Sequence, residues 1–240
     1  LTVEMMHEME DVYGWEMVPH AFTFAAHDTS YAHLPHDEAI ADALAIRRWM
    51  VEHGFTKGQD DFIYPRGGFT TEVLTSLKKV FASGRSVNGG RYAPGHETLP
   101  PANPHRTRAY MVGNTETVAQ VKAEIDKAVA ANTWLQLIFH SIVPDGTATA
   151  STQYEVGKYE QILAYLSEKG VTVRTMSDAL RHDPAPKPLV TQDRDGHVHI
   201  KNPNPAVKAE VILYNNPAGQ GALVMGGEQV MTWNSAGFQM

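Results

Sequence analysis

The sequence predicts an α/β chain in which βα units surround a parallel sheet or barrel from residue 1 to about 182, followed by a small β module. Helix-like and strand-like segments alternate along the first part, which is the pattern of βα units. The run TWLQLIFH at 133–140 is almost continuously apolar, as suits a strand buried on both faces of a parallel sheet. Past the proline-rich linker DPAPKP at 183–188 the pattern changes to short alternating runs separated by Asn, Pro and Gly.

Taken in order, a helix pattern begins at once from Leu1, and WEMVP at 15–19 reads as a strand. DEAIADALAIRRWMVEH at 37–53 sets Ile40, Ala43, Leu44, Met50 and Val51 on one helical face, with Asp37 as its cap and Gly54 as its stop. DFIYP is a short strand closed by Pro65 and the turn residues Gly67 and Gly68. Further helices are predicted from Thr71 to about Phe81, over 115–131, and around Tyr159, Ile162, Leu163 and Leu166 up to Gly170. VTVRT then leads into a short helix, MSDAL. The Gly-, Pro-, Asn- and His-rich stretch from Val87 to Arg108 is long for a connection and is expected to wall a site or to be a surface excursion. In the β module, GHVHIKN, AEVILYN, GALVMG and EQVMTWN read as strands, and a unit this small needs to dock or oligomerise.

Composition narrows the function classes. A net charge of -7 with no Lys/Arg cluster speaks against nucleic acid, and no apolar run is long enough to span a bilayer. The absence of cysteine removes disulfides, thiolate metal sites and a cysteine nucleophile. The start at Leu1, with no signal-peptide pattern before it, reads as a fragment of something longer.

Three positions carry candidate chemistry. His140 closes TWLQLIFH, and the carboxyl ends of parallel strands are where ligands bind. An imidazole there can exchange protons near neutral pH. His20 follows WEMVP at another strand end and could bind zinc or a similar ion, although one histidine is not a site. His27, His33 and His36 crowd the next loop without helical metal spacing, so a polar loop is the simpler reading of them. Lastly, Tyr64, Pro65, Arg66 and Gly67 form a tight turn at a strand end, where backbone approaches a ligand closely and Arg66 can hold an anionic or carbonyl group. DRDGHVHI lacks the remaining ligands of a calcium loop and reads as a hairpin turn.

With these pieces in order, the first 180 residues resemble the later part of a polysaccharide deacetylase of carbohydrate esterase family 4. LTVEMMHEMEDVYGWEMVPH is similar to the segment leading to that family's first metal histidine, and FIYPRGGFTTEVLTSLKK to one wall of its groove. RSVNGG, WLQLIFHSI with the helix before it, and GVTVRTMSDAL follow in the family's order.

The resemblance implies a distorted (β/α) barrel, here incomplete at its N-terminus, with metal-dependent removal of N-acetyl groups from an amino-sugar polymer. It places His20 on the first metal histidine and His140 on the general acid, and it implies zinc, cobalt or nickel. Phe24 falls on the second metal histidine. A shifted alignment puts His27 on the first ligand and Tyr31 on the second. The aspartate-rich motif would lie upstream of Leu1, and Ile63 replaces an arginine found in many members. Two readings follow. One is a deacetylase, for which His20 and His27 are the candidate ligands and Tyr64, Pro65, Arg66 and Gly67 the substrate-binding turn. The other is a non-catalytic carbohydrate-binding or structural protein of a cell surface or phage particle, for which a dry apolar pocket around Phe24 would speak. Either way the partner is a glycan outside the cell or at a surface, with the β module available for oligomerisation. An unrelated sugar-active barrel would need a facing carboxylate pair.

Overall fold

The computed structural model describes residues 1–87 and 96–180 and, beyond these, the backbone of five strands. Helix α1 (Val3–Asp11) is capped by Thr2 and leads into an extended segment that ends at His20. After α2 (Phe24–Thr29) comes α3 (His36–Glu52), whose cap position is Pro35, two residues before the Asp37 that the sequence suggests. Strand β1 (Asp61–Ile63), α4 (Thr71–Leu77) and β2 (Ser83–Arg85) form one βαβ unit with parallel strands. β3 (His96–Glu97) and β4 (Tyr110–Met111) precede α5 (Val118–Ala131), whose Thr117 and Gln120 make a reciprocal capping box. Next come β5 (Trp134–Leu135), β6 (Leu137–Ile138), β7 (Ser141–Val143), β8 (Gln153–Glu155), α6 (Val156–Glu168) and α7 (Met176–Leu180).

Up to residue 180 the strands fall into short pairs. Single hydrogen bonds nevertheless join these pairs edge to edge. Ile63 N–H donates to Pro19 O, Tyr64 N–H to Arg85 O, and Thr107 N–H to Gly84 O. Tyr110 N–H donates to Gln136 O and Val112 N–H to Ile138 O. The extended segment at 19, β1, β2, residues 107–112 and β6 therefore lie side by side in chain order, parallel where register is defined. This order brings the residues that follow each strand to one end.

Two cores hold the helices against these strands. Tyr31, Ile40, Phe62, Tyr64, Val73 and Leu77 pack under α2, α3 and α4. Val112, Val121, Ile125, Tyr154 and Ile162 pack between α5, α6 and the later strands. Each large apolar side chain so buried contributes about 1.5–3 kcal/mol.

Several expectations need adjusting. TWLQLIFH is not one strand buried on both faces: Gln136 separates β5 from β6, and residues 134–139 are half-buried. Leu135, Leu137 and Phe139 alternate onto the α5–α6 core, leaving Trp134, Gln136 and Ile138 on the other face. WEMVP is extended but forms no strand, and in VTVRT, which leads into α7, Val173 is largely exposed. α7 is instead tied back to the first segment, since Glu16 accepts from Ser177 N–H at 2.9 Å and from its hydroxyl.

Past residue 188, β9 (Leu189–Gln192), β10 (Val198–Lys201), β11 (Gly221–Met225), β12 (Glu228–Asn234) and β13 (Gly237–Gln239) form one sheet, ordered β13-β12-β11-β10-β9. All neighbours in it are antiparallel except β10 and β11. The DPAPKP linker, the DRDG turn, AEVILYN and residues 88–95 of the long loop lie outside the described residues. No helix among the described residues is long and apolar enough to cross a membrane.

Candidate functional site

His20 sits where the first extended segment runs alongside β1. Its Nδ1 lies 2.8 Å from Ile63 O. A carbonyl can only accept, so Nδ1 carries the proton, and in the neutral ring Nε2 keeps its lone pair. Burial holds the His20 pKa below its ordinary value, against the opposing pull of that carbonyl; the charges of His27, Arg85 and His140 lower it further.

The loop after His20 is organised by one buried carboxylate. Asp42 of α3 accepts from Phe22 N–H at 2.8 Å, Thr23 N–H at 3.0 Å and Thr23 Oγ1 at 3.0 Å. It also accepts from the hydroxyl of the fully buried Tyr31 at 2.7 Å. Thr23, held in this way, caps α2 by accepting from Ala26 N–H, and Ala26 enters the core. The short helix therefore returns His27 to His20, with ring centroids 5.1 Å apart and nearly perpendicular. His27 Nδ1 lies 2.9 Å from Asp28 Oδ1, an acceptor, so Nε2 is again the nitrogen left for a ligand.

His140, exposed just past β6, completes the group. Its pKa is lowered by partial burial, by Arg85 and by His27. Arg85 ends β2 and stands in register with Ile63, the residue whose carbonyl anchors His20. Burial pulls the Arg85 guanidinium down to about 10. His20 and His27, seven residues apart, thus share a region with Arg85 and His140 from distant parts of the chain.

Phe24 stands apart from this group. It is the first residue of α2 and is 90% exposed, so it lines no dry apolar pocket. The Tyr64–Gly67 turn is tied to the histidine loop. The Tyr64 ring is buried between Phe62 and Phe69, and its hydroxyl donates to His105 O at 3.0 Å. Pro65 O accepts from Ser30 Oγ, and Gly67 is buried with a positive φ, at a site where a Cβ would strike Val87. Arg66 is exposed and donates to Asp28 O at 3.2 Å, bracing the end of α2 beside His27. The turn is the scaffold for the histidine loop. His33 lies outside the group, while His36 bridges Asp37 and Ser76 and so joins α3 to α4.

Donor chemistry suits a divalent ion at His20 and His27, because each ring is anchored through Nδ1 and offers Nε2. Among the described residues no set of three His, Asp or Glu gathers to complete such a site. The sequence reading missed Arg85 and Asp42. A lone arginine at the end of the strand-like SGRSV was the available sign of the first. Asp42 sits on a helical stripe among Ala39, Ile40 and Ala43, where a carboxylate needs partners.

No known family matches the chain, and neither a curated protein nor a solved structure does.

Proposed function

We propose that residues 1–180 form a polysaccharide deacetylase-like domain of (β/α)-barrel type, acting on N-acetyl groups of an amino-sugar polymer. The observation that carries this reading is the convergence of His20, His27 and His140 at one end of parallel strands. In it, His20 and His27 hold zinc, cobalt or nickel, with His27 supplying the imidazole that Phe24 does not. A divalent ion bound there supplies Lewis acidity toward the amide carbonyl.

The chain's own residues do the rest. Ile63 O and Asp28 orient the two rings, and Arg66 steadies the α2 end that carries His27. His140 rests neutral near pH 7, because burial, Arg85 and His27 oppose its charge. It therefore accepts the proton released by the water that adds to the amide carbonyl, and passes it to the nitrogen as the C–N bond breaks, because the amine leaves poorly as an anion. The test is acetate release from N-acetylated chitooligosaccharides by the chain loaded with zinc. Release that falls with His140→Ala, at unchanged sugar affinity, supports the reading; equal loss of affinity and rate counts against His140 as the proton donor.

A second reading is favoured by the lack of a three-ligand set among the described residues: a glycan-binding barrel without hydrolysis, at a cell surface or on a phage particle. Sugar binding that persists with no acetate released under any metal supports it.

A further inference from the structure

The arrangement around Arg85 goes beyond a metal pair. Its side chain is half-buried, and no carboxylate among the described residues pairs with it. His20, on the neighbouring segment, is fixed to the carbonyl of Ile63, which is the register partner of Arg85. His27 stands edge-on to His20, and both His20 and His140 feel the Arg85 charge. Four nitrogen-bearing side chains from four parts of the chain therefore border one region. A guanidinium taken part-way out of water with no counter-ion among the described residues is costly, and burial has already lowered its proton affinity.

We infer that Arg85 is the receptor for a carboxylate group on the ligand of this site. The planar guanidinium fork matches a carboxylate with two parallel N–H···O bonds, which a lysine ammonium does not reproduce. This rests on the glycan reading above, and it deepens that reading by assigning the ligand a negative charge. The same chemistry has two sources: the acetate freed by deacetylation, or an acidic sugar of the polymer.

The test titrates the full chain, freed of metal on a chelating resin, with sodium acetate, sodium glucuronate and the methyl ester of glucuronic acid. The expected result is that at least one carboxylate binds, with glucuronate at least about tenfold tighter than its neutral ester where glucuronate is the one bound. Arg85→Lys weakens binding severalfold and Arg85→Met abolishes it at an unchanged unfolding midpoint. Glucuronate bound tighter than acetate assigns the site to an acidic sugar, and acetate bound alone assigns it to the released acyl group. No carboxylate binding by the wild-type chain, acid and ester bound equally, or binding unchanged in Arg85→Met overturns the inference. If Arg85→Met does not fold, Arg85→Lys and the wild-type titrations decide it. Acetate release with zinc is read separately, so a failure of hydrolysis leaves the Arg85 result standing, and the reverse.

Discussion

Replacing Asp42 should disturb the candidate site without touching any of its histidines. The carboxylate gathers four donors, two on each oxygen: Phe22 N–H and Tyr31 OH on Oδ2, and Thr23 N–H and Thr23 Oγ1 on Oδ1. In Asp42→Ala the two amides lie near enough to solvent to recruit water, but the Tyr31 hydroxyl is fully buried and cannot. An orphaned buried hydroxyl costs about 1–3 kcal/mol, and the lost bonds to a charged acceptor add to that, for a total of roughly 3–5 kcal/mol. Asp42→Asn keeps one accepting oxygen and turns an NH2 toward the donors on the other side, so it should cost about 2 kcal/mol. Tyr31→Phe in the Asp42→Ala background removes the orphan and should recover about 1–2 kcal/mol. Urea unfolding, followed by tryptophan fluorescence, reads all three. An Asp42→Ala loss under about 1 kcal/mol, or no recovery in the double variant, would refute the reasoning.

Other consequences are simpler to state. His20, His105 and His140 are each held below the ordinary histidine value of 6.5, chiefly by burial. The unfolded chain then binds more protons than the folded one below about pH 6.5, so stability is full above that pH and declines as pH falls through it. Urea midpoints equal at pH 7.5 and 5.5 would contradict this. Gly84→Ala points a methyl group at the buried Tyr64 ring and should cost roughly 1–3 kcal/mol by overpacking, measured as a lower unfolding midpoint. His140→Ala should slow acetate release by roughly 10²–10⁴-fold while glycan affinity is retained, as read by kcat against KM.

The order of elements was legible because it rests on periodicity. The helical stripe of Ile40, Ala43 and Met50 and the stop at Gly54 both correspond to α3 and its end. The apolar run at 133–140 misled because composition does not tell a strand buried on two faces from one resting on a single core; only packing against Val121, Ile125 and Ile162 decides that. His20 and His140 were singled out because WEMVP and TWLQLIFH read as strands ending at them, although WEMVP is extended without forming a strand. From local spacing His27 reads as a loop residue, and only the family resemblance offered it as a ligand, since its approach to His20 depends on Asp42 holding Thr23, a contact across 19 positions. Tyr64 was singled out from its place beside a Pro-Gly turn, and nothing local reveals that its ring is buried and its hydroxyl donates to His105 O. Arg85 was passed over because nothing local reveals that its register partner carries the anchor of His20.

The measurement that bears most directly on the central claim is a calorimetric zinc titration of the chain and of His20→Ala, His27→Ala and Phe24→His. The account predicts that either alanine variant weakens zinc by at least roughly tenfold. It also predicts that Phe24→His changes nothing, because residue 24 faces solvent. Zinc affinity that rises in Phe24→His and is untouched by His27→Ala would contradict it.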